Sequence, residues 1–169
     1  MAVKGKQFEI SSKQLILGVA VKQLKWICDE RGKLMEMVRC DDTFFQQFGQ
    51  VYVTTCNPGV VKAWHYHKKQ TDYLVIVKGM AKVVLYDPRE DSPTKGLVNE
   101  VFAGEDNPLL ICIPPMVIHG FKAYGSEPAY LVNTVTEPYN HKQPDEFRIH
   151  PFDNDVPYDW ALKQNTPPQ

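Results

Sequence analysis

Short segments that alternate between polar and apolar residues constrain the fold of this chain more than any other feature. The alternation has a period of two, or the segment is a short run rich in Val, Ile and Tyr, and both patterns are typical of β-strands. Turn residues separate the segments, as in CNPG at 56–59 and GEDNP at 104–108. We predict strands at 19–27, 51–56, 60–67, 72–79, 81–87, 97–102, 109–114, 118–124 and 129–136.

This pattern predicts an all-β chain, because frequent turns between short strands are typical of an antiparallel sandwich or barrel. The only helical signal is a short turn near Asp159–Leu162. A length of 169 residues suits one domain, which we expect to span 1–169. The two ends, about 1–6 and 163–169, are expected to be flexible.

The charge and composition narrow the class of partner. The net charge is −1, so no global field attracts the chain to nucleic acid or to a membrane surface. No apolar run approaches the ~20 residues that a bilayer span needs. The apolar patch at 15–20 is short and contains Gly18, which is not typical of a secretory signal. Four cysteines without a CxxC pair suit a reducing cytoplasm, the expected location.

Two histidines one residue apart, in the segment KAWHYH, are the first candidates for chemistry. On a strand His65 and His67 point to the same face. Asp72 and His119 follow, and three imidazoles with a carboxylate could bind Fe, Mn, Zn or Ni. The alternative is a set of polar groups at a barrel mouth that bind substrate without a metal.

The spacing of these residues resembles the two sequence motifs of the cupin superfamily, in which such groups converge inside a small antiparallel barrel. The first motif reads G-x5-H-x-H-x4-D-x6-G from Gly59 to Gly79, and the second places Pro114 five residues before His119.

A wider resemblance, from Asp29 to Trp160, is to the dTDP-4-dehydrorhamnose 3,5-epimerases. It implies a cupin jelly-roll barrel, no metal or other cofactor, a nucleotide-sugar substrate in deoxysugar and cell-surface polysaccharide biosynthesis, and a homodimer. The motifs that carry it occur in the family's order: DERGKLME at 29–36, GVVKAWH at 59–65, DSPTKG at 91–96, IPPMVIHGF at 113–121 and DNDVPYDW at 153–160.

The resemblance implies a general base and its partner. His65 takes the position of the histidine that removes a proton beside a sugar ketone. Asp153 takes that of the carboxylate which hydrogen-bonds the histidine, with Asp155 as the alternative placement. Such a carboxylate fixes the tautomer of the imidazole and stabilises its charged form. Without the resemblance, Asp153 in PFDND is typical of a turn residue.

The resemblance also implies residues that bind substrate. Arg31 and Glu36 match positions that contact nucleotide and diphosphate, partly across a subunit interface. Lys62 stands where the family has a phosphate-binding arginine and keeps its charge without the bidentate fork. The substrate-binding set predicted in this way is Arg31, Glu36, Gln50, Lys62, His119, Asn133 and Tyr139.

Three positions depart from the epimerase pattern. Asp72 replaces a catalytic lysine that supports the enolate, and a carboxylate there repels negative charge. The family's proton-donating tyrosine falls on Val132 or Asn133, which leaves Tyr130 or Tyr139 as substitutes.

The third departure is His67, and HYHKK resembles instead the nucleotide-sugar 3,4-ketoisomerases. The second proton transfer therefore falls to His67, to Asp72 or to a tyrosine.

Three functions follow from these residues. The leading interpretation is an epimerase or isomerase that abstracts the C3 proton of a nucleotide-linked 4-keto-6-deoxy sugar, with His65, Asp153, His67 and Asp72 in catalysis. The second is a metal-dependent cupin enzyme with His65, His67, Asp72 and His119 as ligands. The third is a sugar-nucleotide-binding cupin that has lost catalysis.

Overall fold

The computed structural model describes residues 14–161, and all regular structure in this range is β. No helix within these residues is long and apolar enough to cross a membrane. The strands are β1 (Ala20–Gln23), β2 (Ile27–Asp29), β3 (Gly32–Leu34), β4 (Gln50–Cys56), β5 (Val61–Tyr66), β6 (Asp72–Lys78), β7 (Met80–Tyr86), β8 (Val98–Gly104), β9 (Leu109–Ile113), β10 (Ile118–Ala123), β11 (Ala129–Val135) and β12 (Phe147–Arg148).

Two five-stranded antiparallel sheets form the barrel. The first sheet has the order β1-β9-β6-β11-β4, and the second has the order β12-β5-β10-β7-β8. Neighbours in each sheet are mostly distant in sequence, as in a jelly roll, and β2 with β3 forms a separate hairpin. The predicted all-β antiparallel barrel is confirmed.

Every predicted strand segment overlaps a strand, and the first segment includes β1 and the first residue of β2. The chain leaves the first sheet after β1, where the Leu24 amide bonds to the carbonyl of Pro108, and it pairs again only in β2. The helical turn predicted near 159 does not form over Asp159–Ala161, and its last residue lies outside the described range. The predicted flexible ends also lie outside that range.

Inward-facing apolar residues fill one end of the barrel. On β6 the side chains alternate, so that Leu74 and Ile76 enter the core while Tyr73 and Val75 face the outer side of the sheet. Each such side chain contributes roughly 1.5–3 kcal/mol on burial. Asp72 begins the inward row and is only 2% exposed. The inward face thus changes from apolar to polar along one strand, and this change locates a site.

Aromatic residues cover the outside of the second sheet. Trp64 on β5 is 1% exposed, and its ring centroid lies 4.8 Å from that of Trp160. Tyr158 packs edge-on against both rings. This layer supports β5 from behind, so the neighbouring His65 can face the interior.

Candidate functional site

A cavity of about 480 Å³ lies between the two sheets at the polar end of the barrel. Strands β4, β6 and β11 of the first sheet supply one wall, while β5 and β10 of the second sheet supply the other. Its polar lining is Gln50, Tyr52, Thr54, Lys62, His65, His67, Gln70, Asp72, His119, Asn133, Tyr139, Glu146 and Arg148.

Three histidines cluster on the wall made by the second sheet. His65 on β5 and His119 on β10 are cross-strand partners, which brings their ring centroids to 4.1 Å. His67 follows β5 by one residue, and its ring lies 6.0 Å from each of the other two. Strand pairing thus unites residues that are 54 positions apart in the sequence, 65 and 119.

The carboxylate that meets this cluster is Asp72. Its Oδ2 lies 3.2 Å from His119 Nε2 and 3.6 Å from His67 Nε2. Its Oδ1 accepts hydrogen bonds from Gln70 at 2.7 Å and from Asn133 at 3.0 Å. Burial alone would raise the pKa of Asp72, but the hydrogen bond to His119 and the nearby imidazoles lower it to about 2. The carboxylate is therefore ionised at neutral pH.

The hydrogen bonds of His119 determine its protonation. Nδ1 lies 3.0 Å from the carbonyl of Val117, and a carbonyl can only accept, so Nδ1 carries a proton. Nε2 faces the ionised carboxylate of Asp72, which also only accepts. In a neutral ring with its proton on Nδ1, Nε2 would be an acceptor and would face the Asp72 carboxylate, which is also an acceptor. From these two contacts we infer that His119 is doubly protonated and forms a buried ion pair with Asp72.

His65 differs from its neighbours, because its ring makes no hydrogen bond to any residue in the described part of the chain. Burial, reinforced by the positive charge of His119, holds the pKa of His65 well below its usual range. The ring is therefore neutral at pH 7. A neutral imidazole that faces a cavity can accept a proton from a bound molecule.

Charged and polar groups surround the mouth of the cavity. Lys62 donates to Thr54 Oγ1 at 2.7 Å and to the carbonyl of Thr55 at 3.0 Å, and so bridges β5 and β4. Gln50 Oε1 accepts from the backbone amide of Tyr139 at 2.7 Å.

Eight of the eleven residues predicted from the sequence line this cavity. They are Gln50, Lys62, His65, His67, Asp72, His119, Asn133 and Tyr139. Their individual roles stay predictions.

The other three predicted residues lie elsewhere on the surface. Arg31, in the β2–β3 turn, pairs with Asp29, and Glu36 pairs with Arg39. Asp153 is exposed and does not line the cavity.

The structure does not bring Asp153 to His65, and the pairing of these two residues stays a prediction. The backbone amide of Asp153 bonds to His150 in a surface turn, and Asp155 is exposed as well. The buried carboxylate of the site is Asp72, which contacts His119 and His67 rather than His65.

Several residues of the cavity were not predicted. Tyr52 and Thr54 share the inward face of β4 with Gln50, so the period of two that predicted the strand also identifies them. Arg148 reaches the cavity because β12 pairs with β5, and no pattern in the sequence indicates that pairing.

The histidine cluster could hold a transition metal. His65, His67 and His119 each offer a ring nitrogen, and these atoms all lie within 4.8 Å of one another. Nδ1 of His67 and His119 face backbone carbonyls, which leaves Nε2 of both rings toward the cavity, as metal-binding histidines require. A metal would have to displace the proton on Nε2 of His119.

Comparison with known proteins gives a consistent family. The family described as "Polysaccharide biosynthesis C-terminal domain" matches residues 27–147. The chain is 44% identical over 146 residues to the spore coat polysaccharide biosynthesis protein SpsL of Bacillus subtilis, covering 86% of this chain and 97% of that protein. It is 45% identical over 137 residues to the probable low-salt glycan biosynthesis epimerase Agl13 of Haloferax volcanii, covering 80% and 87%.

A solved structure agrees with this family. A dTDP sugar isomerase from Desulfovibrio desulfuricans superposes with a TM-score of 0.82 at 35% identity, covering 88% of this chain and 94% of that one. A dTDP-6-deoxy-D-glucose-3,5-epimerase from Legionella pneumophila and a dTDP-4-dehydrorhamnose 3,5-epimerase from Sulfolobus tokodaii share the fold. The chain belongs to the polysaccharide biosynthesis C-terminal domain family, and its jelly roll is that of the cupins similar to dTDP-4-dehydrorhamnose 3,5-epimerase.

Proposed function

We propose that this protein is an epimerase or isomerase that removes the C3 proton of a nucleotide-linked 4-keto-6-deoxy sugar. The observation that carries the proposal is His65, a neutral imidazole without a hydrogen bond to the described chain, on the wall of a cavity that fits a sugar. The names of two relatives, an epimerase and a dTDP sugar isomerase, support the reaction class.

The first step is proton abstraction by His65. The C4 ketone acidifies the neighbouring C3–H bond, so its electron pair moves into an enolate as the imidazole takes the proton. A low pKa keeps His65 unprotonated and ready to accept at neutral pH. Asp153 is not needed for this readiness, since desolvation and the charge of His119 maintain it.

The enolate is stabilised by His119. Where the epimerases use a lysine, this chain has Asp72, which repels negative charge by itself. In the buried ion pair, however, Asp72 holds the positively charged His119 imidazolium on the cavity wall, where it can stabilise the enolate. The positive charge of the lysine is thus supplied from a different strand.

The mouth of the cavity binds the nucleotide end. Lys62 offers a positive charge to the diphosphate, and Arg148 offers a second one from β12. Gln50 and Tyr139 lie beside them and are available for the base or ribose. Arg31 and Glu36 lie outside the cavity of their own chain, so their proposed contact requires a homodimer that brings them to the partner's site.

Exchange of the C3 proton tests the proposal. The protein is incubated in D2O with dTDP-4-keto-6-deoxyglucose and, separately, its UDP counterpart, and NMR follows C3 and C5. We expect deuterium at C3, and His65→Gln should lower the exchange rate by ~10²–10⁴-fold with binding retained. No exchange by the unmodified protein on either compound would overturn the proposal.

A second candidate function rests on the nitrogen atoms of His65, His67 and His119, which lie within 4.8 Å of one another. In that case the protein is a metal-dependent cupin enzyme. Elemental analysis after purification without added metal separates the two candidates. Stoichiometric metal that is lost, together with activity, on chelation supports the metal enzyme, whereas full activity after chelation supports the histidine base.

A further inference from the structure

We propose that Tyr52 is the acid that returns a proton to C3 from the side opposite His65. The inference rests on the proposed function and identifies the group that completes an inversion. It gives the second proton transfer to a residue that none of the sequence motifs indicates.

Tyr52 lies on the wall of the cavity that faces His65. It projects inward from β4, the edge strand of the first sheet, whereas His65 projects from β5 in the second sheet. The bond from Lys62 to Thr54 shows that these two strands face each other across the cavity mouth. A sugar between the sheets would present one face to His65 and the other to Tyr52.

The position of Tyr52 accounts for the tyrosine that the epimerase pattern lacks. That tyrosine falls on Val132 or Asn133, and of these two Asn133 lines the cavity. Asn133 and Tyr52 are directly opposed in the β11–β4 pair. Tyr52 therefore places a phenol in the same part of the cavity from the adjacent strand.

The hydrogen bonds leave the Tyr52 proton free for a substrate. The Asn133 amide nitrogen donates to the Tyr52 hydroxyl oxygen at 2.9 Å and to Asp72 Oδ1 at 3.0 Å. Asp72 determines this orientation, since a flipped amide would place its oxygen against the carboxylate. Because the Tyr52 oxygen accepts from Asn133, its own O–H can point into the cavity.

A second observation points to a bound molecule at this place. Asn133 is 6% exposed, and its Oδ1 has no hydrogen-bond partner among residues 14–161. A buried acceptor without a partner destabilises the structure unless a donor reaches it. A sugar hydroxyl next to the reacting carbon supplies that donor and would hold C3 beside the phenol.

The charge state of the phenol suits an acid. Burial, together with the nearby carboxylate of Asp72, raises the pKa of Tyr52 to about 12. The residue therefore carries its proton at neutral pH. Tyr130 faces away from the cavity, and Tyr139 is 49% exposed, against 39% for Tyr52.

The proton count of the reaction closes without another reactant. His65 takes the C3 proton, and the electron pair moves to the C4 oxygen as an enolate. The enolate re-forms the ketone while C3 takes the proton of Tyr52 on the opposite face. The tyrosinate and the imidazolium then exchange with water, since Tyr52 is 39% exposed.

The test is Tyr52→Phe, with Tyr130→Phe as the matched control, because Tyr130 is exposed to a similar extent and does not line the cavity. In D2O with dTDP-4-keto-6-deoxyglucose, Tyr52→Phe should keep C3 exchange through His65, while the rate of inverted product falls ~10²–10⁴-fold. Tyr130→Phe should leave both rates unchanged. An unchanged melting temperature and nucleotide affinity would show that Tyr52→Phe leaves the fold intact.

A second variant makes the result independent of folding. Replacing Tyr52 by 3-fluorotyrosine lowers the phenol pKa while keeping the hydroxyl, so the alkaline limit of inversion should move to lower pH. Inversion at the unmodified rate in Tyr52→Phe, or an equal loss in Tyr130→Phe, would overturn the inference. Absence of C3 exchange in the unmodified protein would instead overturn the proposed function.

Discussion

The substitution Asp72→Asn tests the buried ion pair through the pH dependence of stability. The amide oxygen can still accept from Gln70 and Asn133, so the change removes the charge and keeps these two hydrogen bonds. Its new amide group can donate to a neutral His119, so the ring no longer needs its second proton. The variant therefore isolates the charge–charge part of the interaction.

The magnitude follows from the pKa of Asp72. Its ordinary value is 3.8 and its value in the folded protein is about 2, a difference of about two pH units. Each unit corresponds to about 1.4 kcal/mol, so the charged form contributes about 2–3 kcal/mol to the free energy of unfolding. Asp72 is only 2% exposed, and solvent screening therefore does not reduce this figure.

The sign determines the pH window. Because the folded pKa lies below the unfolded one, the contribution is fully present above about pH 4 and is lost as the pH falls through about 2. The free-energy difference between the unmodified protein and Asp72→Asn should be about 2–3 kcal/mol at pH 7. It should shrink steadily as the pH falls from about 4 to about 2 and vanish below that range.

Urea unfolding followed by tryptophan fluorescence, at pH 7, 5, 4 and 3, measures this difference. Asp91→Asn is the control, since Asp91 is exposed and such substitutions change stability by about 0.5 kcal/mol or less. The reasoning would be refuted if the difference in unfolding free energy between Asp72→Asn and the unmodified protein were the same at pH 7 and at pH 3. The charge of Asp72 would then contribute nothing to stability.

Three further variants test the site and its support. Lys62→Met should raise KM for the sugar nucleotide by about tenfold with a smaller change in kcat, whereas the surface variant Lys95→Met should change neither constant. A change in kcat alone in Lys62→Met would contradict phosphate binding by Lys62. Gly120→Ala should lower the free energy of unfolding by about 1–3 kcal/mol in thermal unfolding, because its Cβ would lie 2.3 Å from that of Ala63. Adding Ala63→Gly should restore part of the loss, and an unchanged stability in Gly120→Ala would show that β5 shifts at little cost. Asp153→Asn should slow C3 exchange by less than about tenfold, since Asp153 lies outside the cavity. A loss of two orders of magnitude would instead indicate that Asp153 acts together with His65.

The strands and their inward faces follow from local sequence. A period of two forces Gln50, Tyr52 and Thr54 to one side of β4, and it forces Asp72 and Leu74 to one side of β6. This periodicity is a property of neighbouring residues, so it can be predicted without knowledge of the sheet order. The all-β fold was predictable for the same reason, whereas the predicted substrate-binding residues of the cavity came from the resemblance to the epimerases.

Contacts between distant strands could not be predicted from local sequence. The resemblance to the epimerases indicated Asp153 as the carboxylate beside the base, whereas the structure places Asp72 within 3.2 Å of His119 and leaves Asp153 in a surface turn. Only the packing of the first sheet against the second decides which carboxylate meets which imidazole. Side-chain period says which way a residue points, but not what it faces.

The sequence by itself thus determined the strands, the barrel and a set of residues that point into it. The tertiary structure alone decided their partners: the ion pair of Asp72 with His119, the unpaired ring of His65, and the phenol of Tyr52 held by Asn133. The physical reason is that alternation acts over two residues, while these contacts depend on the order and register of strands far apart in the chain.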